Sequence, residues 1–427
     1  MAELAVITPL HHAGNEYITE CWESLRTQTG SWRWYILENN GGKVPRAIAS
    51  DPRVKALRRG LPPDIGALKR YTTHASVEPY VLELDCDDIL APNAVSQVLE
   101  AFAQGAEFVY SDFAEFTVVR GQWVSQRLDY PYGTHYGWHH YDVRHGEQHA
   151  IAMSAPPVTA QNIRLVDWAP NHLRAWSREI YNLVGGHDAD LAVADDHDLI
   201  VRMFLAGAKF VHIPQCLYFY RVHDNNTVGA RNAAIRDGTW GVYNRNIWKL
   251  AEKFAKDSGL QKIDLCGALD CPEGYTPIDS NLGREQTGIL CDLNWRWKLA
   301  DASVGVLRAS DAVEHLRDPI HVMNEAYRVL APGGFFMISV PSSSGKGAFC
   351  DPTHVSFWND LSFRYYTDQN FARYIPAYEG RFQVSRVIEW FPSEWHRQNN
   401  VPYAEAQLIK LGAGYEPMGE VLWPERC

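Results

Sequence analysis

Long apolar runs are missing from this chain. None approaches the ~18 residues that cross a bilayer, and no basic patch with an apolar signal core opens the sequence. No membrane span is expected, and the expected location is the cytoplasm. Paired cysteines are missing too. The eight cysteines are scattered and form no C-x-x-C pair, which argues against a zinc ribbon or a disulfide framework and suits reduced thiols. A basic surplus is also absent. With 40 Lys and Arg against 51 Asp and Glu, the formal charge is −11. That excludes phosphate-driven, non-specific nucleic-acid binding but not a nucleic acid as a specific acceptor. Repeats and low-complexity tracts are lacking.

What is present is length and alternation. At 427 residues the chain exceeds one ordinary core, so two or three domains are expected. Short β-type runs over 4–9, 34–37 and 108–110 alternate with helical spacing over 15–28 and 92–103. This predicts a mostly parallel α/β sheet whose ligands bind beyond the strands' carboxyl ends. A second α/β pattern starts near 263 and runs through strands at 278–279, 304–307 and 335–340 and a helix over 319–330. A polar joint at 256–259 sets the expected division: 1–257, 258–395, and an extension over 396–427.

The most informative stretch is 80–90. An apolar run, readable as a buried strand, ends in Asp85, Asp87 and Asp88. Carboxylates there suit a hard divalent cation that shares its oxygens with substrate phosphates. A solvated turn with a helix cap fits the same residues, since Asp-x-Asp recurs at Asp188/Asp190 and Asp196/Asp198. The aromatic and His-rich stretch 120–165 is spaced too irregularly for a metal cluster. It reads as a substrate-facing loop whose histidines act separately.

Context comes from seven ordered landmarks: Val6-Ile7-Thr8-Pro9; Ile36 to Gly42; Ile65 to Arg70; Asp85-Cys86-Asp87; the segment 171–187 ending in Gly185-Gly186-His187; Ala194-Asp195-Asp196-His197-Asp198 with Arg202; and Tyr218 to His223. Together they resemble the GT-A nucleotide-sugar glycosyltransferases of family 2, with Asn39 where that family has Asp and Asp195 where it has Glu. The resemblance implies a Rossmann-like nucleotide-sugar-binding fold. It also implies metal-dependent, inverting transfer from a nucleotide-diphosphate donor, a UDP-sugar first, to a hydroxyl on a glycan, protein or modified nucleic acid. Thr8, Pro9, Glu38, Asn39, Asn40, Lys69, Asp85, Cys86 and Asp87 would meet the donor. Asp85, Asp87 and His223 would hold Mn²⁺ or Mg²⁺. Asp196 would be the base and Asp195 would bind sugar or acceptor hydroxyls, while Asp198 and Arg202 read as a structural pair.

The second half resembles class I S-adenosylmethionine-dependent methyltransferases, through 292–304, Glu314-His315-Leu316-Arg317-Asp318-Pro319 and Glu325 to Gly334. A smaller Rossmann-like domain is implied, with Gly267 and Asp279 as its possible methyl-donor site. The glycine-rich turn is reduced to Gly267, and no room is left for the helix that should follow. A degenerate domain that does not bind the cofactor is therefore expected. The alternative is a bifunctional glycosyltransferase and methyltransferase. Asp351-Pro352-Thr353-His354 and Ser356-Phe357-Trp358 form a further polar-aromatic cluster, open to two readings: it faces a ligand or simply packs the domain.

Overall fold

A computed structural model describes residues 2–60, 64–126, 139–165, 170–223, 227–283 and 287–412. The chain divides into two compact units, Met1–Asn246 and Ile247–Cys427. The division falls inside the helix Thr227–Asp257, so the expected joint near 257 is the end of a helix and not a linker.

In the first unit the strands are β1 (Leu4–Leu10), β2 (Trp32–Glu38), β3 (Val54–Arg58), β4 (Tyr80–Glu83), β5 (Ile89–Leu90) and β6 (Phe108–Val119). They continue with β7 (Gln122–Ser125), β8 (His140–His145), β9 (Gln148–Met153), β10 (Arg174–Ser177) and β11 (Phe210–Arg221). The main sheet order is β3-β2-β1-β4-β10-β6-β11-β5. Every residue of β1 is buried, as a central strand covered on both faces requires. β3, β2, β1 and β4 run parallel, as expected. Beyond them the sheet is mixed, because β10 lies antiparallel between β4 and β6.

Two consequences place the site. The parallel register aligns Leu10 with Glu38 and Ile7 with Glu83, so the loops after β1, β2 and β4 open on one edge. The two-residue β5 then pairs antiparallel with β11, through Tyr218–Leu90 and Phe219–Ile89. That pairing brings 85–88 beside 218–223. The helix Ile18–Arg26 covers this end with Ile18, Cys21, Trp22 and Leu25, its i, i+3, i+4, i+7 face. Trp22 stacks on Trp34 with centroids 5.7 Å apart.

The His-rich stretch forms the β8–β9 hairpin. His145 stacks on Trp123, His149 contacts Asp142, and His139 bonds to Ser154. These histidines act separately. His135, Tyr130, Tyr132, Tyr136 and Trp138 lie outside the described residues.

The second unit holds β12 (Gln261–Leu265), β13 (Thr276–Asp279), β14 (Ile289–Leu290), β15 (Val304–Ser310), β16 (Leu330–Pro341), β17 (Phe382–Trp390) and β18 (Tyr403–Lys410). Their order is β14-β13-β12-β15-β16-β18-β17, with β18 antiparallel to both neighbours. The expected extension over 396–427 is corrected here: 403–410 is an interior strand whose Ala404, Ala406 and Leu408 enter the core. No helix separates β12 from β13. The helix Pro319–Val329 is capped by Asp318, whose carboxylate accepts the N–H groups of Ile320 and His321.

Candidate active site

The carboxylate turn is built from beneath. Thr8 is fully buried on β1; its hydroxyl donates to the Leu84 carbonyl (2.6 Å) and accepts the indole N–H of Trp34 (2.8 Å). Asp88 is buried as well, and accepts the Tyr218 hydroxyl and the Arg221 N–H, both at 2.7 Å. Arg221 also donates from Nε to the Asp87 carbonyl (2.9 Å) and from Nη2 to Glu20 (2.5 Å). Asp88 is thus the anchor of the turn, while Asp85 and Asp87 stay partly exposed.

His223, at the end of β11, places Nε2 2.9 Å from Asp87 Oδ2, and its ring stacks on Tyr17. An oxygen and a nitrogen donor so close suit a divalent cation between them. Burial raises Asp85 to about 7, opposed by Lys69 and reinforced by Asp87 and Glu83. A cation would relieve that crowding.

A second cluster lies alongside. Glu83 on β4, Lys69 on the helix Ile65–Ala75, Arg174 on β10, His187 and Asp195 are all buried. Lys69 Nζ stands 2.5 Å from Glu83 Oε1 and 3.4 Å from Asp195 Oδ2. Arg174 Nη1 stands 2.5 Å from Asp196 Oδ2 and 3.7 Å from Glu83 Oε2. Burial opposes the Glu83 charge, but Lys69 and Arg174 outweigh it and bring its pKa to about 2. Burial also opposes ionised Asp196, yet Arg174 and Lys69 hold it well below the usual carboxylate range. Asp195 is pushed upward by burial, with Lys69 opposing and Asp196 adding to the rise. Glu83, His187 and Asp195 have the spacing of a metal group, but the Lys69 ammonium already fills the place a cation would take.

Asp195 and Asp196 open the helix Asp195–Leu205, whose first turn favours negative charge. The expected structural pair is present, with Asp198 Oδ2 2.6 Å from Arg202. Arg70 pins the preceding Gly-Gly turn by donating to the carbonyls of Gly185 and His187.

Several expected donor contacts need correction. Thr8, Pro9 and Cys86 are buried, and the Cys86 thiol packs under Gly14. Their side chains are taken up in packing the turn, which leaves their backbone groups for any contact with a donor. Lys69, expected at the nucleotide, spends its charge on Glu83 and Asp195. Glu38 is engaged by the Val44 N–H (2.9 Å) and Arg58 (2.5 Å). Asn39 and Asn40 remain on the open edge, and the Asn40 carbonyl accepts the His12 N–H, closing the two loops together. Sequence reasoning gave no role to Glu83, Arg174, Tyr218 or Arg221, although each lies in a stretch singled out above: 80–90, 171–187 or 218–223.

In the second unit, Asp279 accepts the N–H of Ala268, on the turn after β12 (3.2 Å), and that of Asn281 on its own loop (2.8 Å). A Cβ on Gly267 would meet Asp264 Oδ2 at 2.5 Å. Asp264 is held by Arg308 at 2.8 Å.

Residues 5–156 match the family Glycosyl transferase family 2. The first unit carries a family 2 glycosyltransferase domain. Residues 279–338 match a methyltransferase domain, beginning only after the Gly267 turn. Over 228 residues, 51% of this chain and 16% of the relative, the identity to the O-antigen biosynthesis protein RfbC of Myxococcus xanthus is 23%. Over 61 residues, 13% of this chain and 24% of the relative, the identity to a probable S-adenosylmethionine-dependent methyltransferase of Mycolicibacterium smegmatis is 40%. A structure of S. aureus TarS with UDP-GlcNAc aligns at a TM-score of 0.42 and 14% identity, covering 60% of this chain and 67% of that one. The chain spans less than a quarter of each of these two curated relatives. Among the described residues no helix is long and apolar enough to cross a membrane.

Proposed function

We propose that the glycosyltransferase domain moves a sugar from a nucleotide-diphosphate donor to an acceptor hydroxyl, with inversion at the anomeric carbon. The observation that carries this reading is the meeting of Asp87 with His223 at 2.9 Å, beside the Arg174–Asp196 pair. Asp85, Asp87 and His223 would hold a divalent ion. Bound there, it would offset the charge that develops on the departing nucleoside diphosphate. Asn39 and Asn40 border the loop edge where base and ribose would lie, and a UDP-sugar is the first donor to test.

Asp196 would take the acceptor proton. Arg174 keeps it ionised and makes it a weak base. A weak base suffices, because the hydroxyl becomes strongly acidic as its oxygen bonds to the anomeric carbon. Asp195, buried with Lys69, would orient the acceptor or the sugar. The relative named for O-antigen biosynthesis makes a glycan the first acceptor class to test, ahead of protein and modified nucleic acid.

The second unit, on this reading, has the strand order of its family without a working cofactor cradle. The missing helix between β12 and β13 and the engaged Asp279 carboxylate support that view over the bifunctional alternative. The primary experiment is a panel of nucleotide sugars assayed for hydrolysis and transfer with Mn²⁺, Mg²⁺ or EDTA. Turnover of one donor that requires the ion is expected; turnover indifferent to EDTA refutes the metal assignment.

A further inference from the structure

A cluster outside this machinery lies in the second unit, beyond the carboxyl ends of β15 and β16. Glu314 and His315 follow β15; Asp351 and His354 lie on the segment after β16. The two segments are stitched together. The N–H groups of Val355 and Ser356 donate to the Glu314 carbonyl (2.8 and 3.0 Å), and the Ser356 hydroxyl donates to the Val313 carbonyl (2.9 Å). The Glu314 side chain is only 2% exposed, and neither carboxylate oxygen has a hydrogen-bond partner. Burial raises it to about 8, with its own N–H and that of Ala312 opposing the rise and Asp311 and Asp351 adding to it. A buried carboxylate with both oxygens unpartnered is costly unless something else satisfies it.

The surrounding groups are metal ligands. A Glu314 oxygen, a ring nitrogen of His315 and one of His354 all lie within 4.8 Å of one another. The two rings stand edge to face at 4.9 Å. His354 Nδ1 lies 2.9 Å from the Ala348 carbonyl, and His315 Nδ1 lies 3.1 Å from the Thr353 hydroxyl, which itself donates to Asp351, and 3.3 Å from the Thr353 carbonyl. Those contacts put the proton on Nδ1 and leave each Nε2 with a lone pair, the arrangement that orients metal-bound imidazoles. Asp351 Oδ2 lies 4.0 Å from His354 Nε2. Ligand atoms around tetrahedral zinc stand about 3.3 Å apart. Closing the set asks His315, at the end of the short 3-10 turn Val313–His315, and Asp351, just past the short helix Gly347–Cys350, to turn inward.

We propose that Glu314, His315 and His354, with Asp351 as a fourth ligand, bind a divalent transition metal of the zinc type. Two imidazoles and two carboxylates favour zinc over magnesium or calcium, which take oxygen ligands. The ion would clamp the segment after β16 onto the end of β15.

The test uses the untagged full-length chain with Asp87→Ala and His223→Ala, which removes the glycosyltransferase cation site. After stripping with EDTA it is titrated with Co²⁺, then with Zn²⁺. One equivalent of Co²⁺ is expected to give the intense visible bands of a four- or five-coordinate ion, and Zn²⁺ should displace them. Zn²⁺ should also raise the melting temperature. Adding His354→Ala or Glu314→Gln should weaken binding by at least ~10-fold and remove the thermal shift. If His354→Ala does not fold, His315→Gln takes its place. A pale octahedral spectrum, no bound equivalent, or binding indifferent to these substitutions overturns the site.

Discussion

Asp87 has the most to lose from a single atom change. It meets His223 from a turn whose anchor is Asp88, so Asp87→Ala removes the proposed ligand without removing the support. Transfer should be abolished and nucleotide-diphosphate binding weakened, while the melting temperature moves little; calorimetric titration with UDP and a thermal melt check both. Asp196→Asn keeps the acceptor for the His197 N–H (2.7 Å) and deletes the proposed base. Turnover should fall ~10²–10⁴-fold with donor affinity nearly unchanged, measured as kcat against donor Kd. Glu83 sets an acid limit. Its folded pKa of about 2 lies below its ordinary 4.5. Its contribution to stability is therefore complete above pH 4.5 and is lost as pH falls through 2. The melting-temperature gap between wild type and Glu83→Gln should narrow across that window; a gap constant with pH would assign Glu83 a merely steric role. Asp85 and Asp87 were legible in the sequence because an apolar run ended in them. The partners of Glu83 were not, because Lys69, Arg174 and Asp195 come from three distant elements and join only when β10 inserts beside β4.

At the level of elements, the β1 and β2 loops behave as one piece. Asn39 donates its N–H to the Leu10 carbonyl (2.9 Å), and Asn15 bridges the Gly41 carbonyl (3.1 Å) and the Lys43 N–H (2.8 Å). Gly42 fits under them only without a side chain, since a Cβ would lie 2.0 Å from the Leu10 carbonyl oxygen. Gly42→Ala should push the loops apart, costing ~1–3 kcal/mol of stability and raising the donor KM more than it lowers kcat. Steady-state kinetics with a melt decides this. Strand positions were readable from apolar runs bounded by turns, and β1, β2, β12 and β15 fall where the pattern put them. The antiparallel insertion of β10 was not readable: a four-residue strand carries too little periodicity to announce its direction or its neighbours.

For the whole molecule, the second unit joins a match to a methyltransferase domain over 279–338 to a β12–β13 connection that has no helix. Full-length protein titrated with S-adenosylmethionine and with its demethylated product should give no saturable isotherm in the micromolar range. A clear isotherm lost on Asp279→Ala would restore the bifunctional reading. Part of this was legible, since the missing glycines could be counted in the sequence; the interior place of 403–410 was not, because sequence order does not reveal insertion between earlier strands. That insertion has a further consequence. As the ribosome releases the chain, β16 and β17 emerge before the strand that must lie between them. The first unit can condense while synthesis continues. The second must wait with two facing edges open, exposed to mispairing or to chaperones, until 403–410 clears the exit tunnel.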